Sequence, residues 1–266
     1  MKIFISADIE GVTGVTHWNE TELGHAEYQA AREQMTAEVV AACEGALQAG
    51  AQEIWIKDSH DTGRNLIAAR LPREARLIRG WSGHPMMMLQ ELDKTFQAVL
   101  LVGYHAGAGA GKSPLEHTMD GGSLIAVKIN GRPISEFMID LNNTAYHHIP
   151  LVFVSGDQGL CETVKEINPY IETVAVKEGR GDSTINLHPQ LAVERIKEGT
   201  AKALQGNLEA CQVDLPDHFS VEVVYRLQAK AYRFGFFPGA QQVDPLTVLY
   251  ESGDYFEVLR FFLFAL

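Results

Sequence analysis

The chain has 266 residues, 46% of them hydrophobic and 21% charged, which suits one sizeable α/β domain or a domain with a subdomain. Its formal net charge of -12 sets it against phosphate backbones and anionic bilayers, so nucleic acid and membrane are excluded as partners. Cys43, Cys161 and Cys211 are widely spaced and form no C-x-x-C pair. They therefore give neither a disulfide framework nor a thiolate zinc site, and fit reduced thiols in a cytoplasmic protein.

Met1-Lys2 runs directly into Ile3-Phe4-Ile5-Ser6-Ala7, a buried-strand pattern that leaves no room for a signal peptide. A helix is expected from about His25 to Gln48, with Tyr28, Met35, Val39, Cys43 and Ala46 on one face and Gly50 as its stop. The strand Glu53 to Lys57, a helical piece near Met86 to Leu92 and the strand Ala98 to Val102 follow. This alternation predicts an α/β fold, a mostly parallel sheet with crossover helices. Leu124 to Ile129 and Ile134 to Ile139 flank Asn130-Gly131-Arg132-Pro133, the signal of an inserted β-hairpin. Strands at Leu151 to Val154 and Thr173 to Val176 come next, then a helix from about Pro189 to Leu204. Strands near Val221 to Tyr225 and Thr247 to Tyr250 and a terminal helix complete the chain. The expected division is a catalytic α/β domain over residues 1–190 and a smaller C-terminal α/β subdomain, suited to oligomerisation, over residues 191–266. The longest apolar tract, Phe256 to Leu266, is interrupted by Glu257 and Arg260 and is shorter than the roughly 20 residues that span a bilayer.

Reactive side chains in an open parallel sheet collect at the carboxyl ends of its strands. Three successive strand ends here carry metal-ligand types: Asp8-Ile9-Glu10, Asp58-Ser59-His60 and Gly103-Tyr104-His105. Residues two apart on an extended chain face the same way, so Asp8 and Glu10 can share one site. The hairpin adds Glu136, an isolated acid among apolar neighbours. Carboxylates and imidazoles are what divalent zinc takes in catalytic sites, and a carboxylate can bridge two ions. Each residue alone is more simply a cap, a turn or a structural histidine; their recurrence is the signal.

The segment Ser6-Ala7-Asp8-Ile9-Glu10-Gly11-Val12-Thr13-Gly14 resembles the S-x-D-x-E-G-x-x-G opening of the zinc D-aminopeptidase family. Asp58-Ser59-His60 resembles its D-S-H motif, Gly103-Tyr104-His105-Ala106 its G-Y-H-A motif, and Asn130 to Glu136 its N-x-R-P-x-x-E hairpin. Glu116-His117-Thr118-Met119 is similar to its S-H-x-M segment, with Glu116 where the pattern has Ser. The resemblance implies two divalent ions, zinc by preference, held by Asp8, Glu10, His60, His105 and Glu136, with Asp8 bridging. It implies a catalytic role for His117, read as a general acid/base or an oxyanion stabiliser because metal-activated water is already a nucleophile. It further implies a ring-like homo-oligomer that removes N-terminal residues, D-residues first, from small peptides or amino acid amides.

A two-metal phosphoesterase or general amidase, or a non-catalytic oligomer that binds metal or peptide, would use the same residues. Lys112 and Arg132 are the cations a phosphate would want. Ala106 to Ser113 imitates a phosphate-binding loop, but Pro114 and Gly121-Gly122 forbid the helix such a loop must open. A mobile Gly-rich lid carrying His117 is the expectation there.

Overall fold

The computed structural model describes residues 1–266. β1 (Lys2–Ala7) is buried from Ile3 onward and lies at the centre of the main sheet, between β2 (Glu53–Asp58) and β4 (Ala98–Tyr104). Beyond β2 is β3 (Ala75–Ile78), and beyond β4 come β7 (Leu151–Asp157), β8 (Glu172–Arg180) and the antiparallel edge strand β9 (Ser183–Asn186). The order is β3-β2-β1-β4-β7-β8-β9. Every residue of β4 and β7 is buried, as expected where both faces of a parallel sheet are covered.

One cover is the pair α1 (Tyr28–Gln48) and α4 (Pro189–Gln205). They cross where Gly45 meets α4; a Cβ on Gly45 would stand 2.3 Å from the Lys197 carbonyl oxygen. α3 (Gln158–Ile167), capped by Asp157, packs on β7 and β8. α2 (Glu136–Tyr146) packs against β4.

The second sheet is antiparallel, with order β11-β12-β10-β5-β6. β5 (Leu124–Ile129) and β6 (Arg132–Pro133) form a hairpin whose second arm is shorter and earlier than expected, and β10 (Phe219–Tyr225), α5 (Gln228–Phe234), β11 (Ala240–Gln242), β12 (Thr247–Ser252) and α6 (Tyr255–Ala265) supply the rest. β5 pairs with β10 along Val221↔Ile129 to Tyr225↔Leu124.

The α/β class and the mostly parallel sheet are as read from the sequence. The run Ile134 to Ile139 is not a strand: Ser135 accepts a hydrogen bond from the Met138 amide and starts α2 at Glu136, so N-capping overrides the β-branched pattern. Met86 to Leu92 holds only a single 3-10 turn, Met87–Leu89, because Met87 (φ 45) and Glu91 (φ 75) sit in left-handed backbone that no helix continues through. The crossover from β2 to β4 therefore contains no α-helix, and it contains β3, which the alternation did not announce. The division near residue 190 does not coincide with the division between the sheets. α4 belongs to the large sheet's cover, and the hairpin from mid-chain joins the second sheet. No helix is long and apolar enough to cross a membrane.

Candidate metal centre

The site forms where β1, β2 and β4 end. The chain leaves β1 in a tight turn laid against β4: Asp8 N donates to Val102 O at 2.9 Å and Gly11 N to Gly103 O at 2.8 Å. Contact is backbone to backbone, and a Cβ on Gly11 would fall 1.7 Å from the Tyr104 carbonyl oxygen, so only glycine fits. From β8 the fully buried Lys177 ammonium donates to the carbonyls of Glu10 and, at 2.6 Å, Val15. The turn bearing Asp8 and Glu10 is thereby fixed from two sides. At the end of β2, Asp58 turns away from the site. Its carboxylate takes the amides of Asn65 (2.6 Å) and Leu66 (2.7 Å) and the Asn65 side chain (2.8 Å), which orders the loop that follows His60.

All six candidate residues, Asp8, Glu10, His60, His105, His117 and Glu136, are buried. They fall into two clusters, Asp8-Glu10-His60 and His105-His117-Glu136, whose candidate ligand atoms lie within 4.8 Å of one another. Asp8 belongs to both in geometry: Oδ1 is 3.4 Å from His60 Nδ1 and Oδ2 is 3.6 Å from His105 Nε2. Glu10 Oε2 is 3.0 Å from His60 Nδ1. Glu136 Oε1 lies 3.5 Å from His105 Nε2 and 3.4 Å from His117 Nε2, and the two imidazoles stack with centroids 4.2 Å apart.

Each imidazole spends one nitrogen on a backbone carbonyl: His60 Nε2 on Thr21 (3.0 Å), His105 Nδ1 on Ala106 (2.9 Å), His117 Nδ1 on Leu115 (2.9 Å). The other nitrogen is left to face the carboxylates, the tautomer a divalent cation requires. Asp8 Oδ2, Glu10 Oε2 and His105 Nε2 are buried without a hydrogen-bond partner, although unpaired buried polar atoms cost about 1–3 kcal/mol each. Carboxylate and imidazole donors with orphaned atoms fit a pair of divalent cations.

The clustered carboxylates dominate the electrostatics of the site. Burial, then the neighbouring Glu10, raises the Asp8 carboxyl to about 7. Burial opposes the charged form of His105, but Glu136, Asp8 and Glu10 overcome it and raise the imidazole to about 10. Burial also opposes ionisation of Glu10, and there the His60 charge prevails and holds the carboxyl well below the usual range.

A cavity of about 840 Å³ opens over both clusters. Trp18, Trp81 and Arg226, none of them singled out in the sequence, line it. Trp18 stands edge-on to His117 at 5.1 Å between ring centroids. It occupies a 3-10 turn closed by His17 and Glu20 in a reciprocal capping box, a pattern the sequence displays as an acid three residues past the cap. Lys112 pairs with Glu162, and its carbonyl accepts the Gly179 amide at 2.8 Å, which ties the Gly-rich loop to α3 and β8. No helix follows that loop, as expected.

A sequence model of the D-aminopeptidase family matches residues 1–264. A D-aminopeptidase of Bacillus subtilis (strain 168) is 29% identical over 265 residues, covering 98% of this chain and 94% of that protein. Among solved structures, the Zn-dependent D-aminopeptidase DppA from Bacillus subtilis, described as a self-compartmentalizing protease, matches with a TM-score of 0.92. It is 28% identical, and the match covers 99% of this chain and 96% of that one. With the family pattern running from end to end of both sequence and fold, the chain belongs to the D-aminopeptidase family.

Proposed function

We propose that this chain is a zinc-dependent aminopeptidase that removes N-terminal residues, D-residues first, from small peptides or amino acid amides. The observation that carries the reading is the pair of buried donor clusters joined through the Asp8 carboxylate. Asp8, Glu10 and His60 would hold one ion, and Asp8, His105 and Glu136 the other. When bound, the ions supply Lewis-acid polarisation of the scissile carbonyl and a water acidic enough to attack it at neutral pH.

The remaining work falls to the chain. His117 Nε2, at the cavity wall, would take the proton released by the attacking water and pass it to the departing amine. Trp18 and Trp81 give the cavity apolar faces, and Glu22, Asp61, Glu116 and Asp120 give it an acidic rim that draws a positively charged substrate amino group. The same rim disfavours the phosphoesterase alternative. Lys112 is taken up by Glu162 and Arg132 lies exposed on β6, which leaves Arg226 as the only Lys or Arg lining the cavity.

A second reading of His117 rests on its position in the His105-Glu136 cluster, where it would serve as a further ligand. His117→Ala separates the two. Unchanged zinc content with turnover lower by roughly 10²–10⁴ makes it the acid/base group; loss of one zinc equivalent makes it a ligand. For the reaction itself, zinc content is measured and rates are compared on D-alanine amide, L-alanine amide and N-acetyl-D-alanine amide. The proposal requires zinc and a preference for the free D-amide; a zinc-free protein inactive on all three overturns it.

The assembly proposed is a homo-oligomer of ring form in the cytoplasm, contacting through the second-sheet unit. In support, Phe236, Phe264 and Tyr232 of that unit are strongly exposed apolar side chains, and all three cysteines are free and buried.

A further inference from the structure

Beneath the two clusters lies a buried polar layer that the proposed chemistry does not use. Ser59 Oγ and Ser6 Oγ are 2.7 Å apart, Ser6 Oγ and the Tyr104 hydroxyl 2.6 Å, and the Tyr104 hydroxyl donates to Asp140 Oδ2 at 2.7 Å. Ser6, Tyr104 and Asp140 are fully buried and Ser59 nearly so. One direction of donation satisfies every member: Ser59 to Ser6, Ser6 to Tyr104, Tyr104 to the Asp140 carboxyl as terminal acceptor. None of these oxygens is left without a partner, whereas Asp8 Oδ2, Glu10 Oε2 and His105 Nε2 directly above are all orphaned.

The four members come from four elements, and each is a near neighbour in sequence of a candidate ligand. Ser6 on β1 precedes Asp8 by two residues, which places both on one side of an extended chain. Ser59 precedes His60 just past β2, and Tyr104 ends β4 immediately before His105. Asp140 follows Glu136 by one turn of α2, on the same helical face. A hydrogen bond tolerates only a few tenths of an ångström in length, so the chain fixes the separations of β1, β2, β4 and α2 at the level where their ligands emerge.

We infer that Ser59, Ser6, Tyr104 and Asp140 are positioning residues, a hydrogen-bonded template that holds the ligands of both ions at binding distance across four elements. This rests on the metal-site reading above and adds residues that touch neither ion nor substrate. It also gives a function to the Ser and Tyr positions of the S-x-D-x-E, D-S-H and G-Y-H segments. Groups bonded directly to metal ligands are typically worth roughly 10–100-fold in metal affinity, and a template one step removed is worth that at most.

The test is competition for zinc(II) between the full-length protein and a chromogenic chelator, with thermal melting of the zinc-free protein alongside. Tyr104→Phe and Ser6→Ala should each weaken zinc binding, by at most roughly 10–100-fold. Tyr225→Phe removes a buried hydroxyl that donates to Ala265 O in the second-sheet unit; it should lower the melting temperature comparably and leave zinc affinity unchanged. Because both hydroxyls belong to one chain, the double variant Ser6→Ala/Tyr104→Phe should lose little more than the worse single variant. Wild-type affinity in both single variants overturns the inference, as does a double variant whose loss is the product of the two. Should Tyr104→Phe fail to fold, Ser59→Ala at the outer end of the chain carries the same comparison. A wild-type protein that binds no zinc in this assay overturns the metal-site reading and the inference with it, whereas variants that bind zinc as tightly as the wild type overturn the inference alone.

Discussion

Asp8 offers one carboxylate oxygen to each half of the site, and this asymmetry with Glu10 can be measured. Asp8→Ala should abolish binding of both zinc ions, and Glu10→Ala should leave about one equivalent, read by elemental analysis of the purified variants. Equal stoichiometry in the two would remove Asp8 from the bridging role proposed for it. A second residue acts on stability rather than on chemistry. Glu38 on α1 is fully buried, accepting from the Thr13 amide at 3.1 Å, and burial raises its carboxyl from 4.5 to about 7. A raised carboxyl binds its proton more tightly in the folded chain, so its stabilising contribution is complete below about pH 4.5 and is lost as pH rises through about 7. Glu38→Gln keeps an acceptor for Thr13 and does not ionise. Its melting temperature should fall less than the wild type's between pH 5 and pH 9, by the equivalent of roughly 3 kcal/mol at most. Parallel melting curves would refute the assignment. At this scale the sequence is informative: Asp8, Glu10, His60 and His105, though not Asp58, converge from the strand ends, because neighbouring strands of one parallel sheet all terminate along a common edge. Trp18, Trp81 and Arg226 are not legible in it, since they arrive from loops whose paths are set by contacts distant in the chain.

α2 shows where local pattern and structure part. Glu136 stands out in the sequence as a site residue, yet the run around it, Ile134 to Ile139, reads as a strand because its β-branched residues suit one. The Ser135 hydroxyl decides the matter by capping a helix at Met138 N, and this places Glu136 in the first turn, where the helix dipole favours its charge. Ser135→Ala should cost about 1 kcal/mol, a fall of a few degrees in melting temperature, and should weaken zinc binding along with it as Glu136 loses its anchor. A stability loss with unchanged zinc affinity would detach the cap from the site. β3 and the partnership of β5 with β10 are hidden for another reason. Nothing in a short window of sequence records which distant strand will supply the hydrogen bonds.

On the scale of the whole molecule, a net charge of -12 spread over the chain coexists with bare aromatic side chains on the second-sheet unit, Phe236 at 73% exposure and Phe264 at 61%. If copies of this chain meet there, Phe236→Glu should shift the sedimenting species to lower mass, since a carboxylate cannot be buried unpaired without a cost of several kcal/mol. An unchanged sedimentation profile would move the contact elsewhere. The same unit bears on the site in a second way. Residues 124–133, lent to the second sheet, lie in sequence between His117 and Glu136, and Arg226 clasps the segment through Ser123 O at 2.8 Å and Gly121 O at 2.9 Å. The last third of the chain contributes no candidate ligand, yet it is the frame on which the span from His117 to Glu136 is stretched. A rigid shift of that frame, from subunit contacts or from the loss of β10, would pull on both ends of the span at once. Changes far from the candidate ligands would then reach one cluster before the other, because the Asp8-Glu10-His60 half is anchored wholly in the large sheet.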